Sequence, residues 1–180
     1  MDNDSFMTKK DNIILTGFMG SGKTTIGSFL ADKMGWNFID IDSLIEIEIK
    51  SSIRDYFRAH GEASFRNIET QILEKVLAGR NQVISTGGGI VLADKNRILM
   101  GKQGLVIWLK ASPEVIYQRI KDNLSRPVLG DDPTLDKIRE ILEFRTPFYT
   151  KADISIETDD LSIDDLSSQI IIAYSKFIES

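Results

Sequence analysis

The residues best suited to chemistry lie near the start of the chain, where residues 17–24 are Gly-Phe-Met-Gly-Ser-Gly-Lys-Thr. This is the G-x-x-x-x-G-K-[ST] spacing, in which glycines let backbone N–H groups converge on phosphate oxygens. An apolar run, Ile13 to Leu15, precedes the loop and a helical pattern follows it, so a helix N-terminus would direct its positive end at the same charge. The segment predicts a nucleoside triphosphate site, and this context argues against a merely flexible glycine turn.

The side chains of this loop have separate predicted roles. Lys23 would reach the β- and γ-phosphates, which makes it a candidate catalytic residue, and the Thr24 hydroxyl would ligate Mg²⁺. The nucleotide-binding residues predicted for the loop are Gly20, Ser21, Gly22, Lys23, Thr24 and Thr25.

Two carboxylates follow the second predicted strand, in the order Asp40-Ile41-Asp42. On an extended segment their side chains would point to the same side. Beside a triphosphate, Asp40 could hold Mg²⁺ or its waters, and Asp42 could orient an acceptor hydroxyl or take its proton as a catalytic residue. The alternative for Asp42 is a structural role, as the N-cap or a first-turn acid of the next helix.

Three successive glycines, Gly87 to Gly89, follow Thr86 at the end of the third predicted strand. Glycine loses more chain entropy on folding than any other residue, so three in a row indicate that something approaches this backbone closely. A tight turn is the alternative, although one or two glycines usually suffice for it. The strand has no Walker B aspartate, which disfavours switch-type GTPases and most ATPase motors and assigns the metal's carboxylate to Asp40.

Two arginines are candidates for binding an anionic acceptor. Helical spacing places Glu62 and Glu69 on either side of Arg66, where they could fix its guanidinium so that it presents paired N–H groups to a carboxylate. Arg145 lies near the end of a helix that Pro147 terminates or kinks. The alternatives are a solvated salt-bridge face for Arg66 and a C-terminal helix cation for Arg145.

Residues 122–133 form the longest stretch without a helical or strand pattern and are rich in Pro, Gly, Asn and Asp. This composition predicts a mobile loop or lid. We expect Arg126, at its centre, to act catalytically on the charge that develops on the transferring phosphoryl group, and Arg119 to contact the same ligand. The alternative is an ordinary surface loop.

Short apolar runs alternate with longer amphipathic stretches, which is typical of βαβ units. We predict a three-layer α/β/α fold with a five-stranded parallel sheet, whose ligands bind beyond the carboxyl ends of the strands. The predicted strands are Asn12–Thr16, Trp36–Ile39, Gln82–Ser85, Leu105–Leu109 and Asp153–Ile156. The predicted helices are Lys23–Met34, Asp42–Lys50, Ile53–Ala78 with a break near Gly61, Asp94–Met100, Pro113–Asp122, Thr134–Tyr149 and Ser162–Phe177.

Composition narrows the class of protein. With 180 residues and no Pro/Gly/Ser-rich linker the chain fits one domain, and its net charge of −5 lacks the overall positive field of a nucleic-acid or anionic-membrane binder. The absence of cysteine excludes disulfides and thiolate metal sites, and no apolar run approaches the length of a membrane span. Polar residues stand where a signal peptide would be apolar. We expect a cytoplasmic, monomeric enzyme without nucleic-acid or membrane partners.

Together these motifs indicate an ATP- and Mg²⁺-dependent phosphotransferase for a small hydroxylated acceptor. In their order and spacing they resemble the shikimate kinase family, over about residues 11–160. The resemblance rests on residues 17–24, 38–42, 61–69, 86–89, 126–129 and 145–149.

The resemblance implies phosphorylation of the 3-hydroxyl of shikimate by ATP, in the pathway to chorismate and the aromatic amino acids. It implies that Asp42 contacts the ring hydroxyls and that Arg66 and Arg145 clamp the substrate carboxylate. The Gly87–Gly89 loop would offer backbone N–H, above all that of Gly88.

On the nucleotide side, the resemblance implies that Lys23, Arg119 and Arg126 hold the phosphates and that Thr24 and Asp40 bind Mg²⁺. It also implies a nucleoside-monophosphate-kinase-like fold with a lid at about residues 122–133. A substrate-binding helical segment would cover about residues 42–70, with Phe57 and Phe65 lining the pocket or serving as core aromatics.

The departures from the family pattern are small. Thr24 replaces the more usual Ser and keeps the hydroxyl, and Val128 stands where leucine is commoner. The region near residues 158–160 lacks a sharp adenine-binding signature and stays unassigned, and we expect His60 to be a surface residue rather than a base.

Two other functions remain open from the sequence alone. A different small-metabolite kinase of this fold, such as a gluconate kinase, would share the phosphate loop and the lid. It need not pair Arg66 with Arg145 and the triple glycine. A nucleotide-binding module that signals to a protein partner would bind nucleotide without a small acceptor, and the missing Walker B aspartate argues against it.

Overall fold

Five parallel strands form the centre of the molecule. The structure is a computed structural model that describes residues 11–121 and 134–179. Its strands are β1 (Asn12–Thr16), β2 (Asn37–Asp40), β3 (Gln82–Ser85), β4 (Gly104–Lys110) and β5 (Ile154–Glu157). They lie in the order β2-β3-β1-β4-β5, and every neighbouring pair is parallel.

Helices cover both faces of this sheet. In the described residues they are α1 (Lys23–Met34), α2 (Ile41–Ile49), α3 (Ile53–Leu77), α4 (Asp94–Gln103), α5 (Pro113–Ile120), α6 (Leu135–Tyr149) and α7 (Ile163–Glu179), with a 3₁₀ helix at Ile90–Leu92. The predicted α/β class and five-stranded parallel sheet are confirmed. Strands β1 and β3 and helix α1 have the predicted bounds, and the boundaries of the other elements differ from the predicted ones by at most three residues. The difference that matters is at α2, which begins directly after β2.

The helix ends follow from local sequence. Gly22 has a φ of 95° and precedes α1, and Gly35 ends that helix with a φ of 65°; both angles lie in the left-handed region that favours glycine. Side chains cap other helices: the Ser112 oxygen accepts from the N–H of Val115 at the start of α5, which also carries Pro113 in its first turn. These caps set the direction in which each helix leaves the sheet.

Two apolar layers hold the helices on the sheet. On one face, Ile14, Ile84 and Trp108 pack with residues of α2, α3, α4 and α6. On the other, Leu15 and Ile107 pack against α1 and α7. Because successive residues of a strand point to opposite faces, β1 contributes to both layers. Each fully buried aliphatic side chain stabilises the fold by roughly 1.5–3 kcal/mol relative to an exposed one.

A smaller apolar cluster lies under the phosphate loop. Phe18 and Met19 of the loop pack against Ile116 and Ile120 of α5 and Ile138 of α6. Phe18 is 1% exposed and Met19 is 8% exposed, so the two residues that follow Gly17 are anchored in the core. The loop is therefore held from below as well as by its flanking elements.

Within the described residues, no helix combines the length and the apolarity needed to cross a bilayer. The predicted lid at residues 122–133, with Arg126 and Val128, lies outside the described residues.

The predicted break in the third helix is confirmed at Gly61. Its φ of 77° and ψ of 173° interrupt α3, so that Ile53 and Phe57 lie on one half and Phe65 and Arg66 on the other. This backbone conformation is one that essentially only glycine adopts without strain.

We expect Gly61→Ala to lower the free energy of unfolding by about 1–3 kcal/mol, because the methyl group would be forced into that strained conformation. The matched control is Gly101→Ala in α4. A methyl group meets nothing within 4 Å at either position, so only the backbone differs. Gly101→Ala should stabilise by up to about 1 kcal/mol. Urea denaturation of both variants checks this, and equal effects would contradict the assignment of strain to Gly61.

Candidate active site

A cavity of about 490 Å³ lies beyond the carboxyl ends of the strands. Every predicted site residue within the described part of the chain lines it. These are Gly20, Ser21, Gly22, Lys23, Thr24, Thr25, Asp40, Asp42, Arg66, Gly87, Gly88, Gly89, Arg119 and Arg145. Arg126 is the remaining predicted residue and lies outside the described residues. The parallel sheet thus brings segments from six parts of the chain to one place.

The phosphate loop wraps around the ammonium group of Lys23. Its Nζ donates to the carbonyl oxygens of Gly17 and Phe18, both at 2.9 Å. The side chain is 8% exposed, so the charge lies against the loop rather than in solvent. Gly17 has a φ of 143°, and a Cβ there would lie 2.5 Å from the Leu109 carbonyl oxygen, so the close passage of the loop over β4 requires glycine.

Thr24 and Asp40 are in direct contact at the edge of this loop. The Thr24 hydroxyl donates to Asp40 Oδ2 at 2.8 Å and lies 3.4 Å from the Ser85 hydroxyl. Asp40 Oδ1 accepts from the N–H of Ser43 at 3.1 Å, which makes Asp40 the N-cap of α2. One carboxylate therefore faces the phosphate loop with one oxygen and fixes a helix with the other.

The expected arrangement of Asp40 and Asp42 on one extended segment is wrong. The chain already turns into α2 at Ile41, and Asp42 lies in the first turn of that helix. The N-cap role considered for Asp42 belongs to Asp40, while the first-turn position holds. Both carboxylates nevertheless line the cavity, because the start of α2 directs its first turn towards it.

The donor set around Thr24 suits a magnesium ion that arrives with a nucleotide. Mg²⁺ keeps several waters and usually binds through one or two carboxylates together with substrate phosphates. A hydroxyl and a carboxylate 2.8 Å apart at the phosphate loop match that pattern. In the described residues no cluster of three or more His, Cys, Asp or Glu side chains could hold a metal without such phosphates.

Arg66 is held by two carboxylates from its own helix. Its Nη1 donates to Glu69 Oε2 at 2.8 Å, and its Nε and Nη2 donate to Glu62 Oε1 at 3.3 and 3.2 Å. The Arg66 side chain is 19% exposed and that of Glu69 is 1% exposed, so the alternative of a solvated salt-bridge face does not apply. Gly89 lies against the guanidinium so closely that a Cβ there would collide with it.

Arg145, on α6, approaches the same loop, formed by Gly87 to Gly89 and called the glycine loop below. It is 4% exposed and its guanidinium lies over the Phe18 ring, 5.6 Å from the ring centroid. A Cβ on Gly88 would lie 3.5 Å from Arg145 Nη1. Its Nε has no hydrogen-bond partner among the described residues, an uncommon state for a buried donor. Pro147 does not end the helix, which continues to Tyr149.

Glu69 is the most perturbed acid of the site. Burial raises the pKa of its carboxyl to about 7, although the charges of Arg66 and Arg145 oppose the shift. The nearby Asp42 carboxylate raises this pKa further, because two like charges disfavour each other. Glu69 Oε1 has no hydrogen-bond partner among the described residues. A carboxyl at the base of the cavity thus changes charge near neutral pH.

The remaining predicted residues have simpler surroundings. Arg119, on α5, donates from Nη1 to the Gly20 carbonyl oxygen at 2.9 Å and so lies across the phosphate loop. Phe57 and Phe65 both line the cavity, with ring centroids 5.5 Å apart. His60 is exposed, packs on Tyr56 and does not line the cavity, as expected of a surface residue.

A family model described as shikimate kinase matches residues 19–175. The chain belongs to the shikimate kinase family. It is an ATP-dependent kinase that acts on shikimate. A shikimate kinase of Caldanaerobacter subterraneus subsp. tengcongensis is 44% identical over 165 residues, which cover 92% of this chain and 96% of that protein.

Solved structures agree with membership of the shikimate kinase family. A shikimate kinase from Acinetobacter baumannii in complex with shikimate superposes with a TM-score of 0.86 at 35% identity, covering 93% of each chain. A gluconokinase from Sinorhizobium meliloti has a TM-score of 0.57 at 14% identity, covering 95% of each chain, and shares only the fold. The gluconate kinase considered from the sequence is thus a relative in fold, and the family is that of the shikimate kinases.

Some residues contribute more to the site than their positions in the sequence indicated. Glu69 was expected only to fix Arg66, whereas its burial makes it a titrating group. The contacts of Phe18 beneath Arg145 and of Tyr149 with the glycine loop were not predicted at all. Tyr149 stands four residues after Arg145, on the same helix face, and that spacing was the available signal.

Glu69→Gln should change how stability depends on pH. The folded-state pKa of about 7 lies above the ordinary value of 4.5, so the folded protein holds this proton more tightly than the unfolded chain does. The stability from Glu69 is therefore present below pH 4.5 and lost as the pH rises to 7. Glutamine does not titrate. The free energy of unfolding of the variant minus that of the wild type should rise by about 2–3 kcal/mol across this range.

Urea denaturation at a series of pH values measures this difference. The control is Glu74→Gln, on the same helix but exposed, where the difference should change much less with pH. A flat difference for Glu69→Gln would show that the carboxyl does not titrate in this range.

Proposed function

We propose that the chain transfers the γ-phosphoryl group of ATP to the 3-hydroxyl of shikimate in the cavity described above. The observation that carries the assignment of residues is that Arg66 and Arg145 both lie against the glycine loop and line the same cavity as the phosphate loop. An acceptor with a carboxylate and ring hydroxyls suits two guanidinium groups and a row of backbone N–H groups.

The phosphate loop binds the nucleotide in this proposal. The glycine-rich backbone of the loop and the N-terminus of α1 lie against the phosphates. Lys23 and Arg119 supply positive charge, and the Thr25 side chain lies at the same loop. Arg126, from the segment outside the described residues, is proposed as a further phosphate ligand and catalytic cation on the strength of the sequence alone.

Thr24 and Asp40 hold Mg²⁺ in this proposal. When bound, the ion neutralises charge that develops on the phosphate oxygens. The hydroxyl-to-carboxylate contact at 2.8 Å supports these two residues, and the N-cap bond to Ser43 keeps the carboxylate in position.

The acceptor lies between α3, α6 and the glycine loop. Arg66 and Arg145 bind its carboxylate, and charge-assisted bonds of this kind are shorter and stronger than neutral ones. Asp42 contacts the ring hydroxyls. It lies close to the loop, since a Cβ on Gly87 would be 2.8 Å from its Oδ1. Asp42 orients the acceptor hydroxyl whether or not it also takes the proton of that hydroxyl. A loose transition state requires little deprotonation by Asp42.

Catalysis then consists of positioning and charge stabilisation. Two carbonyl oxygens at 2.9 Å hold the Lys23 ammonium group against the phosphate loop, which places its positive charge beside the group on which negative charge builds. On the strength of the family resemblance alone, we propose that the enzyme works as a monomer. We place it in the cytoplasm, where its co-substrate ATP is made and used.

Purified protein with Mg·ATP should release ADP rapidly when shikimate is added and only at a background rate with gluconate. A coupled ADP assay measures both rates. Lys23→Ala is the negative control: it should lose most activity with shikimate while keeping the native fold by circular dichroism, because the side chain acts on the phosphates. ADP release that is indifferent to shikimate would refute the proposed reaction.

Arg66→Ala should raise the KM for shikimate by about 10- to 100-fold, because a charge-assisted hydrogen bond is worth roughly 1.5–3 kcal/mol. The KM for ATP should change less than twofold. Arg80→Ala is the matched control, since Arg80 stands just before β3, at the amino ends of the strands and outside the cavity, and its side chain is 75% exposed. An unchanged KM for shikimate in Arg66→Ala would remove Arg66 from the acceptor site.

A further inference from the structure

The hydroxyl of Tyr149 makes an unusual link between α6 and the glycine loop. Tyr149 is 1% exposed, and its Oη donates to the Gly88 carbonyl oxygen. Its ring stacks on Trp108 of β4, with centroids 5.6 Å apart and planes at 15°. Trp108 fixes the ring, so the hydroxyl has a defined position beneath the loop.

This hydroxyl is also next to Arg145. A phenol has one O–H donor and two acceptor positions. With the donor directed at Gly88, the Tyr149 oxygen keeps its acceptor positions, and the positive charge of Arg145 lies close enough to favour the ionised phenol. Burial raises the pKa of Tyr149 to about 12, against the opposing effect of Arg145, so the group stays protonated and keeps its donor at physiological pH.

All three carbonyl groups of the glycine loop accept hydrogen bonds from other groups of the protein. Gly87 O accepts from the N–H of Ile90 at 3.2 Å, and Gly89 O accepts from the N–H of Leu92 at 3.1 Å. Gly88 O is the middle one, and it is held by a side chain, that of Tyr149. Within the described residues, the three glycine N–H groups have no backbone acceptor outside the regular strands and helices.

The geometry of the peptide bond links the direction of each carbonyl group to that of the next N–H donor. The chain has no cis peptide bond in its described part, and in a trans peptide the C=O and the next N–H point in opposite directions. Gly88 and Gly89 line the cavity, whereas Tyr149 does not. Holding the Gly88 carbonyl on the protein side therefore directs the Gly89 N–H towards the cavity.

We propose that Tyr149 is a positioning residue for the acceptor: its hydroxyl orients the Gly88–Gly89 peptide, so that the N–H faces shikimate, and holds it in register with Arg145. The proposal rests on the proposed function, because it takes the acceptor to bind this loop. Tyr149 itself touches no reacting atom and acts through the loop.

The test is Tyr149→Phe, which keeps the ring on Trp108 and removes only the hydroxyl. The Gly88 carbonyl then loses its buried partner, and the peptide is free to turn. We expect the KM for shikimate to rise about 5- to 20-fold, while the KM for ATP stays within twofold of the wild type. Tyr174→Phe is the matched control. Tyr174 is also buried, but it packs on Trp36 beyond the other face of the sheet, and its variant should leave both KM values unchanged.

The KM values separate a positioning role from a purely structural one. A lower Tm in Tyr149→Phe with an unchanged KM for shikimate would overturn the proposal. A parallel rise in both KM values would also overturn it, because that result indicates general damage. If the wild type itself showed no ADP release with shikimate, the proposed function would fail first, and the two failures are thus distinguishable.

A measurement on the wild type decides the question if Tyr149→Phe does not fold. Residues 87–89 contain the only Gly-Gly sequences of the chain. Protein labelled with carbonyl-¹³C and ¹⁵N glycine therefore gives just two signals in an HNCO spectrum, from the amides of Gly88 and Gly89. Saturating shikimate should shift the Gly89 signal strongly downfield, as expected for a new hydrogen bond. A Gly89 signal that does not move at saturation would overturn the proposal, whether or not the Gly88 signal moves.

Discussion

The parallel alignment of β1 between β3 and β4 is the constraint on which the site depends. The ends of β1 and β3 are tied together, since both the N–H and the hydroxyl of Thr86 donate to the Leu15 carbonyl oxygen, at 3.2 and 2.9 Å. The phosphate loop follows one of these strands and the glycine loop the other. A Cβ on Gly88 would lie 3.3 Å from the Met19 nitrogen, so the two loops are in contact. Donor and acceptor sites are adjacent because their strands are paired.

Several ionisable side chains of the site are buried. Arg145 and Glu69 are almost fully enclosed, and Arg66 is largely so. An enclosed charge is stable only with partners of opposite sign, yet Arg145 Nε and Glu69 Oε1 each lack a hydrogen bond within the described chain. The packing around these two polar atoms thus keeps them buried without a hydrogen-bond partner from the described chain. An anionic, hydroxylated acceptor supplies the kind of groups that these atoms lack.

The sequence predicted the fold well because its signals were local. Strand β1 and helix α1 were predicted to the residue, since apolar runs and glycine caps mark them, and the conformation of Gly61 was visible as a break. The predicted start of α2 was one residue late. Either Asp40 or Asp42 could have capped this helix, and the sequence alone does not show that Asp40 accepts the N–H of Ser43. The pKa of Glu69 and the bond from Tyr149 to Gly88 were beyond sequence reasoning, because both arise from packing between distant segments.

The crowding around the glycine loop limits how this enzyme can change. A side chain at Gly87 would meet Asp42 Oδ1 at 2.8 Å and Glu69 Oε1 at 2.9 Å, and one at Gly89 would collide with the Arg66 guanidinium. Gly88 is bounded by the backbone at Met19 and Gly17, at 3.3 and 3.4 Å. Every substitution in the loop disturbs a group that lines the cavity. An inhibitor that draws its affinity from these three backbone amides would therefore leave few viable substitutions by which the enzyme could become resistant at the point of contact.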